Sequence, residues 1–403
     1  MKRAPHQQQF ATTARRAASM LCALTFVLGA RVHAQVTVFV RGDAPPIVAE
    51  TIFGDAHGLE IRAKSGGGEA QRRVLPWDMV RAVEGAASTG SFGEFLTIGT
   101  DLWRARIRIE RGDFALAQPL LAKQWARFRA ADGPTAALVA EGLLRCALAQ
   151  QDVRAATDPW LACVRHRSAG QTTRFPALPA VLDADTGLLP ELSPFLPAVR
   201  RAEVIAACNA AGATGEAGEV AARIVRIARL TEPTSATDPS AANATASGNS
   251  SFAAMHALPP AVRALAFVES IVVAADARAL EQSILDFDRA YPEPVSSLGA
   301  WRLAALGTCR ARLARAMPES NTNERAALLG RAALELLAVP ASGLDRTGLV
   351  EAYALEEAAR LLRASGDEAS AAQLDAILSE TSLSTSSGLA AKPGRTSTPP
   401  SAR

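Results

Sequence analysis

Gly112-Asp113-Phe114-Ala115-Leu116-Ala117 sits between two stretches of helical periodicity and decides how this 403-residue chain is read. A glycine ends one helix because it takes up left-handed backbone at no steric cost. The aspartate caps the next helix, and alanine lets the two helices approach closely where they cross. The same residue types return about 39 positions later as Gln151-Asp152-Val153-Arg154-Ala155-Ala156, and again as Gly366-Asp367-Glu368-Ala369-Ser370-Ala371. Gly215-Glu216-Ala217 and Ala275-Asp276-Ala277 are looser copies. The signature residues are therefore Gly112, Asp113, Phe114, Ala117, Asp152, Ala156, Gly366, Asp367 and Ala371.

Working outward from these breaks, the periodicity divides the chain into six helical hairpins, roughly 92–130, 134–166, 197–230, 258–290, 295–339 and 344–380. Ser91 and Glu94 have the capping-box spacing for the first helix, which should run to about Arg111 with Phe92, Phe95, Leu96, Leu102 and Trp103 as its apolar positions. Pro134, Pro259 and Pro260 stand where helices begin, and Pro340 follows a helix end. Residues 168–196 carry Pro176, Pro179, Pro190 and Pro194 and should form a loop with at most short turns. Residues 231–256 read as an unstructured linker and 382–403 as an unstructured tail.

At these positions the chain resembles the tetratricopeptide repeat family. Ala105, Gly112, Asp113, Phe114, Ala117 and Leu121 carry the likeness in the first copy, and Leu355, Ala359, Gly366, Asp367 and Ala371 in the last. The copies are irregularly spaced, mostly beyond the family's 34 residues, and Arg108 stands where an aromatic is expected. The resemblance implies an α-solenoid whose concave face binds peptides or protein partners. The expected fold is mainly α, an α-solenoid of about six helical hairpins (91–230 and 257–381) preceded by a small β-barrel-like module over 35–85.

That module alternates with period two. Val36, Val38 and Val40 share one strand face, Ile47 to Phe53 is a second β-rich run, and Gly54 to Gly58 is a turn. Leu59–Arg62, Arg73–Trp77 and Val80–Val83 complete about five strands, with Gly66-Gly67-Gly68 in a loop. The strand spacing is similar to that of SH3-like and Sm-like barrels, which implies peptidoglycan as one candidate partner. A module of this size buries little surface and should dock on the helices that follow.

Residues 1–34 read as an export signal. Lys2, Arg3, Arg15 and Arg16 precede a short apolar run from Met20 to Ala30, and Val32-His33-Ala34 places cleavage after Ala34. Ala17, Ala18 and Ser19 after the arginine pair match a twin-arginine signal poorly, so the general secretory route fits better. The run is too short for a membrane span and Arg31 interrupts it, so no span is expected in the mature chain. The expected location is the periplasm or the extracellular space, with envelope or secreted proteins as partners. The signal holds five basic and no acidic residues. Removing those five from 43 leaves 38 against 40 acidic, which weakens a nucleic-acid reading. Lysine is nearly absent (Lys2, Lys64, Lys123, Lys392), a bias that coding composition produces, so the arginines carry no functional weight as a class.

Candidate chemistry is sparse, and a non-enzymatic scaffold or adaptor without cofactor or metal is the expected function. Cys146, Cys163, Cys208 and Cys309 show no Cys-x-x-Cys spacing and read as small buried side chains. His57, His166 and His256 have no histidine neighbour at helical spacing, and no Gly-x-Ser-x-Gly elbow exists to seat a nucleophile. Asp183-Ala184-Asp185 hints at a calcium loop but lacks the later ligands, and Gly66–Gly68 lacks the helix of a phosphate loop. Arg72-Arg73 near Trp77 suggests a nucleic-acid surface less well than a solvated strand edge. Trp103, Trp125, Trp160 and Trp301 read as helical core. An enzymatic alternative would need Asp183, Asp185 and Glu191 to converge in the 168–196 segment.

Overall fold

The computed structural model of the chain describes residues 36–42, 44–64, 70–85, 92–232, 252–292, 296–318, 320–345 and 347–387. The signal segment with Ala34, the Gly66–Gly68 loop, Ser91 and most of both segments read as unstructured lie outside these residues. The described fold is mainly helical, with thirteen helices and a small antiparallel sheet module at its N-terminal side.

Six strands form the module: β1 (Val36–Val40), β2 (Ile47–Ala49), β3 (Thr51–Gly54), β4 (Leu59–Lys64), β5 (Ala70–Leu75) and β6 (Val80–Glu84). They make two three-stranded sheets, β2-β1-β6 and β3-β4-β5, and no closed barrel, which corrects the barrel expectation. Two features prevent closure. The β-rich run from Ile47 to Phe53 breaks at Glu50, so its halves join different sheets. Between β5 and β6, a 3-10 turn at Trp77–Met79 carries the chain inward, and β5 pairs with β4 alone. Val38, Leu59, Ile61, Leu75, Trp77 and Val80 fill the space between the sheets.

The module docks on the helices, as its size requires. Trp77 stacks on Phe95 of α1 (Gly93–Glu110), with ring centroids 5.0 Å apart and planes inclined by 8°. Its backbone N–H donates to Thr135 Oγ1 (3.2 Å), and the Thr135 hydroxyl donates to His57 O (3.3 Å). At Gly99 any Cβ would collide with the Trp77 carbonyl, so α1 lies directly on this turn.

The helices pair in chain order. α1 packs on α2 (Phe114–Phe128), α3 (Pro134–Ala149) on α4 (Val153–Ser168), and α5 (Ala198–Ala211) on α6 (Gly215–Leu230). After the short α7 (Phe252–His256) come α8 (Pro260–Val273) with α9 (Ala277–Ala290), α10 (Ser296–Ala316) with α11 (Thr322–Ser342), and α12 (Leu349–Ala364) with α13 (Glu368–Ser387). Five local expectations shift. Phe252–His256 is helical inside the segment read as a linker, with Phe252 5.8 Å from the Phe267 ring. Helix α13 extends to Ser387, and Pro340 lies within α11 near its end. Helix α1 starts at Gly93 with no side-chain cap, and its buried face is Ile98, Leu102, Ala105 and Ile109. Trp103 is on the surface, with the Arg41 guanidinium 5.0 Å over its ring.

The three signature breaks share one turn geometry. At each, the aspartate N–H reaches the carbonyl five residues back: Asp113 to Arg108 (2.8 Å), Asp152 to Ala147 (3.0 Å) and Asp367 to Leu362 (2.9 Å). The preceding residue, Gly112, Gln151 or Gly366, is left-handed and donates to the carbonyl three back. This is the Schellman arrangement, with the aspartate serving both as its last residue and as the cap of the following helix. Ala117, Ala156 and Ala371 are fully buried. Capping itself differs. Asp152 accepts from Ala155 N (2.8 Å) and Asp367 from Ser370 N (3.0 Å), whereas the Asp113 side chain makes no capping bond. Among the looser copies, Asp276 caps through Ala279 N (2.8 Å). At the other, Gly212 provides the left-handed end and Thr214 the cap position. Asp152→Ala should therefore cost about 1 kcal/mol, and Asp113→Ala less than about 0.5 kcal/mol. Urea unfolding of the two variants checks this; equal losses would contradict the capping assignment.

Candidate functional site

The segment between α4 and α5 is a packed strap, not a surface excursion. Phe175, Leu188, Leu189, Leu192, Phe195 and Leu196 are buried, and the one described element of regular structure is a 3-10 turn at Pro190–Leu192. The strap crosses from the early helices to the late ones. Near its start, Thr173 Oγ1 and Arg174 N donate to the buried Glu141 carboxylate (2.7 Å each). Near its end, Phe195 meets Tyr353 of α12 at 5.7 Å between rings. The two anchors, Glu141 and Tyr353, are 212 residues apart in sequence, which local periodicity cannot reveal.

Between the strap, the α3–α4 turn and the start of α12 lies a cleft of about 1240 Å³. One wall is Pro179 to Asp183 with Pro190 and Glu191. Leu344 just before α12 and Leu349, Ala352 and Leu355 within it also line the cleft, as do Leu148, Gln151 and Val153 from the α3–α4 turn. Leu378 of α13 also reaches it. This volume exceeds what a single small ligand usually fills.

The cleft's charges are unequal. Arg145 is buried and already paired: its Nη2 donates to Glu141 Oε1 (2.8 Å), its Nη1 to Pro179 O (3.1 Å), and its guanidinium lies 5.2 Å from the Phe175 ring. Arg200 pairs with Glu203 (3.2 Å). Asp183 turns its carboxylate back on its own loop, accepting from Thr186 N (2.7 Å) and Thr186 Oγ1 (2.6 Å). Glu191 is different. Its Oε2 is buried with no hydrogen-bond partner, and burial pushes its carboxyl pKa up, opposed by a hydrogen bond from its own backbone N–H and reinforced less strongly by the nearby Asp345 charge. Glu351 also lines the cleft and forms no ion pair among the described residues.

The structure thus brings Asp183 and Glu191 to one cleft and leaves Asp185 exposed outside its lining. The Asp183–Gly187 stretch is a tight turn, with Arg167 donating to Asp183 O (2.8 Å). His57 lies in the β3–β4 turn, His256 ends α7 with its ring 5.0 Å from Phe252, and His166 is buried in α4; none lines the cleft. The four cysteines are buried and unpaired. Burial pushes the thiols of Cys146 and Cys208 up to about 12 and that of Cys309 up to about 11, with Cys163 raised further, so none is poised as a nucleophile. Trp160 and Trp301 are core, while Trp125 is half-buried and donates to Asp158 (3.2 Å). Trp77 is fully buried and Arg72 pairs with Glu60 (2.7 Å), so Arg72, Arg73 and Trp77 form no common surface.

Sequence reasoning missed Asp78 and Gln151. Asp78 is fully buried in the Trp77–Met79 turn, 3.1 Å from Arg106 and 3.9 Å from Arg174, and ties the module to α1 and the strap. Gln151 is the one left-handed non-glycine among the described residues (φ 55°). The signal for it was present in the alignment of the three breaks, where glycine occupies the other two copies. No helix among the described residues is long and apolar enough to cross a membrane. No protein-family model matches the chain, and no curated protein or solved structure is significantly similar to it.

Proposed function

We propose that the protein is an exported, non-enzymatic scaffold that holds a peptide segment of an envelope or secreted partner in the cleft under the strap. The observation that carries this reading is the cleft itself: large, walled by leucines and valines, and built where an ordered strap joins an early helical pair to the last one. The three Schellman–aspartate breaks, alike in their backbone hydrogen bonds, support a tetratricopeptide-like solenoid, an architecture suited to binding extended segments. The signal-like residues before Gln35 support export.

A photo-crosslinking side chain at Ala352, in the cleft, should trap a partner peptide in cells. The same group at Leu334, which is 68% exposed on α11 away from the cleft lining, should not. Equal crosslinking at both positions, or none at Ala352, would sink the reading. N-terminal sequencing of the extracytoplasmic protein should begin at Gln35.

One observation favours a second reading, peptidoglycan binding by the module. On the β3-β4-β5 sheet, Phe53 and Val74 flank Glu60 in register and are 62% and 39% exposed. Sedimentation with purified peptidoglycan tests it: Phe53→Ser should abolish co-sedimentation, and an unchanged pellet would remove this reading.

A further inference from the structure

We infer that the cleft selects an extended peptide bearing a lysine or arginine, whose cationic side chain pairs with Glu191 while the Gln151 amide meets the peptide backbone. This rests on the peptide-scaffold reading above and gives the partner its chemistry.

Charge complementarity carries the inference. Both cations of the lining, Arg145 and Arg200, are already paired within the protein. Glu191 and Glu351 have no cationic partner among the described residues, and the Glu191 Oε2 atom is buried with nothing to accept from. A desolvated carboxylate oxygen without a donor is costly, and a ligand ammonium or guanidinium removes that cost. An acidic or phosphorylated segment would instead meet two uncompensated carboxylates, so the cleft discriminates by repulsion as well as attraction. The leucines that line the cleft with Glu191 are suited to the ligand's apolar side chains.

Gln151 adds a second, independent argument. Its turn makes the same hydrogen bonds as the turns at Gly112 and Gly366, where the left-handed position is glycine. A side chain at that position is strained, because left-handed backbone brings its Cβ close to the following carbonyl. Strain of this kind persists where the residue is needed for something other than stability. Here the glutamine lines the cleft, its side chain is exposed, and its amide carries both a donor and an acceptor, which is what an extended backbone requires.

The test is selection of a displayed random-peptide library on the immobilised full chain, with Ala352→Trp, which obstructs the cleft, as the counter-selection. Peptides lost on the Ala352→Trp protein should be enriched in lysine or arginine. By fluorescence anisotropy, Glu191→Gln should weaken such a peptide about tenfold without lowering the melting temperature, because it removes an unpaired buried charge. Gln151→Gly should raise the melting temperature and weaken the same peptide. A stabilised Gln151→Gly protein with unchanged affinity would assign that residue a purely structural role and overturn its part of the inference. Cleft-dependent peptides with no charge bias, or acidic ones, would overturn the inference and leave the scaffold reading standing. A library yielding no cleft-dependent peptide would overturn both.

Discussion

Replacing Trp77 with alanine is expected to destabilise the protein by about 3–5 kcal/mol and to free the β module from α1. The indole is fully buried where three elements meet. It stacks on Phe95, lies 6.3 Å from Phe92, and its Nε1–H donates to Asp55 O (2.7 Å). A Cβ at Gly54 would stand 2.9 Å from its Cζ2, so β3 also lies against it. Truncation removes the ring's contacts, opens a cavity too well framed to collapse, and leaves the Asp55 carbonyl without its donor. With total stabilities of roughly 5–15 kcal/mol typical of folded domains, a loss of this size is a large fraction of the whole. Trp77→Phe keeps most of the apolar volume and should cost distinctly less. Urea unfolding with limited proteolysis of the strands reads both effects. Unchanged midpoints and unchanged protection of Leu59–Leu75 in Trp77→Ala would mean that the module does not depend on this contact.

The helical pairs were legible because each break is written locally. A left-handed position, an aspartate and two alanines fall within six residues, and the backbone hydrogen bonds that follow involve no distant partner. Helix starts at Pro134 and Pro260 were legible for the same reason, since proline's fixed φ suits the first helical position. The openness of the sheets was not. Strand spacing reports how many strands there are, but closure depends on whether β5 and β6 pair, and the Trp77–Met79 turn decides that. Nor was the cleft legible. Its walls come from the strap and α12, brought together by Phe195 on Tyr353, a contact that no local pattern encodes. Of the residues singled out beforehand in the strap, Asp183 and Glu191 reach the cleft while Asp185 does not, because the Asp183–Gly187 turn directs neighbouring residues to opposite sides.

A loss of stability between about pH 6.5 and pH 4, carried by His166, is the second large expected effect. The imidazole is buried in α4, and neither ring nitrogen has a hydrogen-bond partner. Burial pushes its pKa down to about 4, the Arg165 charge beside it acts in the same direction, and Asp132 opposes both weakly. The fold therefore holds the neutral ring, while the unfolded chain binds a proton near pH 6.5. Above that pH the group leaves stability unaffected. As pH falls from about 6.5 toward 4, the unfolded state alone takes up the proton, and stability drops by on the order of 3 kcal/mol. Other groups also titrate at the acid end, so the comparison that isolates His166 is between proteins. His166→Leu fills a similar space without unbonded nitrogens, so its urea midpoint should fall less than that of the wild type between pH 7.5 and pH 4.5. Parallel curves for the two proteins would show that the ring is solvated or bonded in solution and would overturn the assignment.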